Sequence, residues 1–505
     1  MKHLLVAIAC LLFAASLSAQ ANEYSAWPNF PQSSSFFPIS VFLQPPNRTM
    51  GSGSPYATDA AAMVGTKINT LLYIDNGGGG GWPGSYGVDT NGQFALLVAN
   101  GLHLIAMVDY TDNTSATSVA SVQAIATAQN ATQYLIGWGL GDEPESGNGC
   151  TSVVPNIPSY ISTVKGYDST HPIFWNMTDW VFGHGSCGGP PDPNIAALQA
   201  INVGSFDEYP LTSPWNGGSN IPVVSGQPQD SMWIEGSSVA QFIANGRSGQ
   251  PIMAFVDTGT NELGYSTQGG DTCSTSTNLC TPDNHEYRAT AEQVNAEVWM
   301  AIINGAMGIE YFCDDISLAT GNTAYDFCLG NNVSGEGTVA AAIASNLTYV
   351  NTNLLNFAPQ LNSPVLGRCT MDALTGVYTG YTTSCSNGIL TMSTGTSTVP
   401  GSAIVKNYNG TLYLFADPDR NGSASFTFGL GSTYAGWTAT VAYDSDAQYN
   451  STYSTVGKSF TLNSSGQFSD TLGANGDNYQ PKIYKITGTG SGAPPPPTNL
   501  QATVV

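Results

Sequence analysis

Positive charge is what this chain has least of. Twelve Lys and Arg stand among 505 residues against 35 Asp and Glu, and charged residues of either sign reach only 9%. So few cations cannot neutralise a phosphate backbone, which excludes nucleic acid as a partner. An anionic membrane surface is excluded on the same ground. Metal-binding patterns are missing too: there is no CxxC pair and no HExxH. No zinc site is expected, and no cofactor is implied. The Gly-x-Ser-x-Gly elbow of serine hydrolases is absent. Beyond residue 21 no apolar run is long enough to cross a bilayer.

What remains is an acidic chain of net charge −23, with 57 glycines and 41% apolar residues, enough to bury a core. Lys2, the apolar run 4–17 and the small residues Ser16, Ser18, Ala19 and Ala21 read as an export signal over 1–21. That places the mature protein outside the cytoplasm, secreted or periplasmic, as a soluble monomer. Of nine cysteines, Cys10 leaves with the signal. The other eight, in an oxidising compartment, are expected to pair in sequence order: Cys150 with Cys187, Cys273 with Cys280, Cys313 with Cys328, Cys369 with Cys385.

A period organises the first two thirds. Short β-rich runs end at Leu43, Asp75, Asp109, Glu143, Asn176 and Glu208, at intervals of 32, 34, 34, 33 and 32 residues. Two more end at Asp257 and Asp314, after longer insertions of 49 and 57. Helix-like stretches lie between them, over 56–67, 93–100, 115–130, 157–167, 237–245 and 290–306. Eight strands alternating with helices imply parallel pairing through right-handed crossovers, and at this length a (β/α)8 TIM barrel over 22–361. The competing doubly wound sheet wants a glycine-rich phosphate loop after its first strand. Here the glycine run at 77–81 follows the second. From 362 to 487 the texture changes to short alternating strands, with Asn409-Gly410 as a hairpin signal, and an antiparallel β-sandwich is expected. Residues 488–505 read as a Pro/Gly linker and the start of a fibronectin type III-like module.

The strand ends carry the chemistry. In such a barrel active groups sit where strands end, and these ends bear Asp75, Asp109, Asp142, Glu143, Asp207, Glu208, Asp257, Asp314 and Asp315. Asn176, Tyr209 and Tyr311 lie among them, with Trp82, Trp138, Trp175, Trp180 and Trp215 close in sequence. Carboxylates ringed by aromatics and amides suit a sugar: rings stack on the C–H faces of a pyranose and polar groups bind its hydroxyls. Cleaving a glycosidic bond needs one protonated and one ionised carboxyl. Glu143 is the expected acid, because it follows a strand of small and aromatic residues that would desolvate it. Its partner is expected at the seventh strand: Asp257, with Glu262 and Glu208 as the other choices. Asp75, Asp142, Trp138, Trp175, Asn176, Asp207, Glu208, Tyr209 and Tyr311 are expected to contact substrate.

The segment Gly141-Asp142-Glu143-Pro144 closing a fourth barrel strand resembles the glycoside hydrolases of clan A. The segments 37–44, 297–306 and 308–312 are similar to secreted cellulase-like and β-galactosidase-like members. The resemblance implies a TIM barrel, Glu143 as acid/base and the end of strand seven as nucleophile. Asp142 stands where the clan carries Asn, and Asp257 where it carries Glu. The expected activity is retaining hydrolysis of a β-linked neutral polysaccharide, since uronic-acid polymers call for Arg or Lys at their subsites. An inverting glycosidase and a non-catalytic glycan-binding barrel are the alternatives.

Overall fold

The computed structural model describes residues 24–42, 59–72, 93–108, 119–145, 149–178, 187, 193–207, 209–210, 233–258, 272–274, 279–281, 289–312, 337–371, 383–386, 388–394, 399–419, 422–449, 452, 454–473 and 480–488. Eight strands close a barrel: β1 (Ile39–Phe42), β2 (Thr70–Leu72), β3 (His103–Met107), β4 (Leu135–Gly139), β5 (Ile173–Thr178), β6 (Val203–Asp207), β7 (Ile252–Asp257) and β10 (Gly308–Phe312). Every ladder is parallel, and β10 pairs with β1 to complete the ring. A short hairpin, β8 (Thr272–Ser274) and β9 (Leu279–Thr281), is inserted after β7.

Strand alternation sorts the side chains into two layers. Phe42, Leu72, Ile105, Met107, Ile136, Phe174, Val203, Met253, Phe255 and Phe312 pack together as the barrel interior. Tyr24 and Phe30, with ring centroids 4.0 Å apart, plug the end at which the strands begin. The alternate residues face outward, against a ring of helices. These are α1 (Asp59–Gly65), α2 (Gln93–Asn100), α3 (Val119–Ala128), α4 (Gly149–Ser152), α5 (Ile157–Tyr167), α6 (Pro193–Ala200), α7 (Trp233–Asn245), α8 (Ala291–Asn304) and α9 (Gly337–Leu361). Both faces of every strand are covered, so the strands read as apolar runs rather than alternating ones. α8 opens with a full capping box, Thr290 and Gln293 each satisfying the other's backbone N–H. Among the expected helices, 93–100 and 157–167 are observed over those residues; α6 and α9 were not anticipated.

The chain then builds two antiparallel sheets. One has seven strands and contains β11 (Gly401–Tyr408) and β12 (Thr411–Pro418), joined at Asn409-Gly410, where both residues take positive φ (51° and 80°). The other has three. Trp299 of α8 stacks on Phe415 and meets Tyr443, while Asn295 donates to Ser445 Oγ and Gln480 Oε1, both at 2.7 Å. Apolar packing and a buried polar bridge thus dock this sandwich on α8. Cys150–Cys187 and Cys369–Cys385 are disulfide-bonded. The hairpin register sets Cys273 opposite Cys280, and Cys313 and Cys328 lie outside the described residues. So do the export signal and, beyond Gly488, the linker with its module start. No helix among the described residues is long and apolar enough to cross a membrane.

Candidate active site

The fourth strand was expected to run to Glu143; it ends at Gly139. Gly141 takes φ +154 and Glu143 takes φ +40, which no strand accommodates. A left-handed glutamate costs about 1–3 kcal/mol and persists only where its surroundings hold it. They do here. The Glu143 N–H donates to the Asn176 carbonyl at 3.0 Å, and the Asn176 side chain donates from Nδ2 to Asp142 Oδ1 at 2.6 Å. Asn176, inward-facing on β5, therefore clamps two successive residues of the 141–143 turn. Further on, Gly149 is required because a Cβ there would collide with the Pro144 carbonyl, so the chain after Glu143 folds back on itself.

Asp207, the last residue of β6, is hydrogen-bonded to Glu143. Two carboxyls can share a hydrogen bond only with a proton between them. Asp207 is held well above the usual carboxylate range, by burial first and then by the charges of Glu143 and Asp142. Burial, followed by the Glu143 charge, pushes Asp142 up to about 8 against the opposing hydrogen bond from Asn176. Glu145 adds its charge to both. Beneath them, Asn176 Oδ1 lies 3.1 Å from Ser205 Oγ, and Ser205 Oγ lies 2.7 Å from Glu310 Oε2. Among the described residues no group of three or more His, Cys, Asp or Glu side chains is arranged to hold a metal ion.

No known protein family and no curated protein matches the chain. Solved structures do resemble it in outline. A glycoside hydrolase is 9% identical, covering 90% of this chain and 93% of its own, with a TM-score of 0.46. An α-L-arabinofuranosidase from Thermotoga maritima, in complex with arabinose, is 10% identical over 89% of this chain and 96% of its own, TM-score 0.40. An α-amylase from Geobacillus thermoleovorans, in complex with acarbose, is 9% identical over 91% and 100%, TM-score 0.45. Likeness at this level decides nothing about chemistry, which has to be read from the side chains.

The structure brings together Asp142, Glu143, Asn176 and Asp207. Tyr209 lies at the same end of the barrel, its ring 5.3 Å from that of Phe312. Asp257 is the last residue of β7. Asp75, Asp109, Glu208, Glu262, Asp314, Asp315, Trp82, Trp180 and Trp215 lie outside the described residues.

Three expected substrate contacts are turned away. Trp138 is fully buried between barrel and helices, where Nε1 donates to Asp168 Oδ2 at 3.3 Å and the ring meets His171 edge-on. Trp175 is 1% exposed in the same outer layer, because its neighbour Asn176 takes the inward position. Tyr311 points outward and its hydroxyl donates to Asn351 Oδ1 of α9 at 2.6 Å. Tyr311→Phe should lower stability by about 1–2 kcal/mol, leaving the Asn351 oxygen unpaired, and leave KM unchanged. A raised KM in kinetics on the purified variant would return Tyr311 to the substrate.

Sequence reading missed Glu145, Ser205 and Glu310. Glu310 sits in mid-strand, so a search of strand ends passes it by. Its available signal was a lone carboxyl inside the apolar run Gly308–Phe312.

Proposed function

We propose that the protein is an exported retaining glycoside hydrolase acting on a β-linked neutral polysaccharide. The observation that carries this reading is the Glu143–Asp207 pair, two adjacent buried carboxyls at the C-terminal mouth of a closed (β/α)8 barrel, with Asp207 held above the usual carboxylate range. Glu143 delivers the proton to the leaving oxygen, and Asp207 holds it in the resting site. As the bond breaks, a carboxylate on the far side of the mouth attacks the anomeric carbon. Asp257 at the end of β7 is the first choice, with Glu262 and Glu208 as the others. The glycosyl-enzyme is then hydrolysed by a water that Glu143 deprotonates. Asp142, Asn176 and Tyr209 bind hydroxyls or sugar faces, a role that also falls to Glu208 and Asp75 outside the described residues. The scarcity of Lys and Arg supports a neutral glycan.

Product release from a panel of neutral polysaccharides between about pH 4 and 7 tests the reading, with the anomer of the first-formed product followed by NMR. Retention of configuration is expected, together with a loss on the order of a thousandfold in Asp257→Asn. Inversion would mean a wider carboxyl gap than the 5–5.5 Å or so of a retaining site. Full activity in Asp257→Asn would move the nucleophile to Glu262 or Glu208. Wild type that degrades nothing yet is retained by an insoluble glycan would make the barrel a binding scaffold.

A further inference from the structure

We propose that Glu310 is a protonated carboxylic acid that positions the active loop, standing at the head of a hydrogen-bonded chain from Glu310 through Ser205 and Asn176 to Asp142. Glu310 is wholly buried on the inward face of β10, between Ser40 of β1 and Phe255 of β7 in the sheet. Among the described residues its one hydrogen-bonding partner is Ser205 of β6, across the barrel interior.

Counting hydrogens fixes the direction of the chain. Ser205 Oγ carries a single hydrogen but stands within bonding distance of two oxygens, Asn176 Oδ1 at 3.1 Å and Glu310 Oε2 at 2.7 Å. The Asn176 amide is oriented by Asp142, which takes its Nδ2 hydrogen. If Glu310 were ionised, the Ser205 hydrogen would go to it and Asn176 Oδ1 would face a bare hydroxyl lone pair. With a proton on Glu310 Oε2, every contact has one donor: Glu310 to Ser205, Ser205 to Asn176, Asn176 to Asp142. The remaining oxygen agrees. Glu310 Oε1 is buried with no partner among the described residues, a heavy cost for a carboxylate and a smaller one for the carbonyl of a neutral acid.

Burial raises the Glu310 carboxyl to about 8, opposed by the Ser205 hydrogen bond and helped by the Asp142 charge. The titratable groups on the elements above and beside it are Asp142, Glu143, Glu145 and Asp207, with Asp257 ending the adjacent strand; on β10 itself Tyr311 faces outward. No cation among the described residues faces it to favour the ionised form. Because Asn176 also holds the Glu143 N–H, the chain ends on the residue that sets the active turn.

This role rests on the glycosidase reading, and infrared spectroscopy tests it apart from activity. The difference spectrum of wild type minus Glu310→Gln at pH 6 should show a protonated-carboxyl band that disappears as pH passes about 8. In kinetics, Glu310→Gln should keep kcat within about threefold of wild type, since its amide can donate to Ser205. Its rate should also fall less steeply with alkali, by one proton. Glu310→Leu removes the donor and should lower kcat tenfold or more with KM within about twofold. Absence of the band at pH 6 would overturn the proposal. So would Gln and Leu variants that match in kcat and pH profile. Wild type that hydrolyses no glycan would instead remove the proposed function, and the infrared band would still decide the state of Glu310.

Discussion

Glu143→Gln is expected to cut polysaccharide hydrolysis on the order of a thousandfold, within the range general acid catalysis supplies. The glutamine keeps the side-chain length, and the backbone bond from residue 143 to Asn176 is untouched, so the turn keeps its shape. What is lost is the proton path. An amide can neither take the proton that Asp207 holds nor pass one to a glycosidic oxygen. Asp207→Asn should cost less, about ten- to a hundredfold, because Glu143 can still draw its proton from solvent. A leaving group that needs no proton discriminates the roles. With a nitrophenyl glycoside, cleavage of the first bond proceeds without acid assistance, so Glu143→Gln should lose far less in the glycosylation step than it does on the natural glycan. Equal losses on both substrates, measured as kcat/KM, would show that Glu143 does not donate the proton.

How much of this was legible beforehand turns on strand geometry. The 32–34-residue period was readable because the first five β/α units have nearly the same length, and the eight-stranded closed barrel followed once two longer units were added. Asp142, Glu143, Asn176 and Asp207 could be singled out too, since chemistry concentrates where parallel strands end, but as strand-end residues and substrate contacts rather than as a turn and its clamp. Side-chain direction was not. Trp175 and Asn176 are consecutive, as are Glu310 and Tyr311, and strand alternation lets only one of each pair face the barrel interior. In a half-exposed sheet the apolar pattern would show which. In a barrel both layers are apolar, so a tryptophan or tyrosine reads equally well on either face. A shift of register between β3 and β4 beside Leu104 and Ile105 compounds this at Trp138. Polarity was the better guide: asparagine, serine and glutamate had reason to face inward only if something polar met them there, and the network of Asp142, Asn176, Ser205 and Glu310 is what meets them.

The same buried acids should make the protein most stable in mild acid. Glu310 moves from an ordinary 4.5 to about 8, Asp142 from 3.8 to about 8 and Asp446 from 3.8 to about 6, all chiefly through burial, and Asp207 and Asp417 shift the same way. A raised carboxyl binds its proton more tightly folded than unfolded. Its contribution is complete below the unfolded value and is lost as pH rises through the folded one, here between about 4 and 8. Opposing shifts set the acid limit. Burial lowers His103 to about 4, a contribution present above its unfolded 6.5 and lost as pH falls through about 4. Asp168, although burial pushes it up, is held well below the usual range by hydrogen bonds from His171 and Thr170, and its contribution is lost in stronger acid. The balance places maximal stability near pH 5, with a decline toward pH 8 on the order of 1 kcal/mol per pH unit for Glu310 alone. Calorimetric unfolding between pH 4 and 9 should show a transition temperature falling by several degrees over that interval. Repulsion within a chain of charge −23 pushes the same way, but it is screened by added salt, whereas buried acids are not. Scans in about 0.5 M NaCl therefore isolate the buried part. Glu310→Gln, which has nothing to titrate, should flatten the decline; a transition temperature level or rising from pH 5 to 8 in salt would mean these carboxyls are ionised in the folded protein.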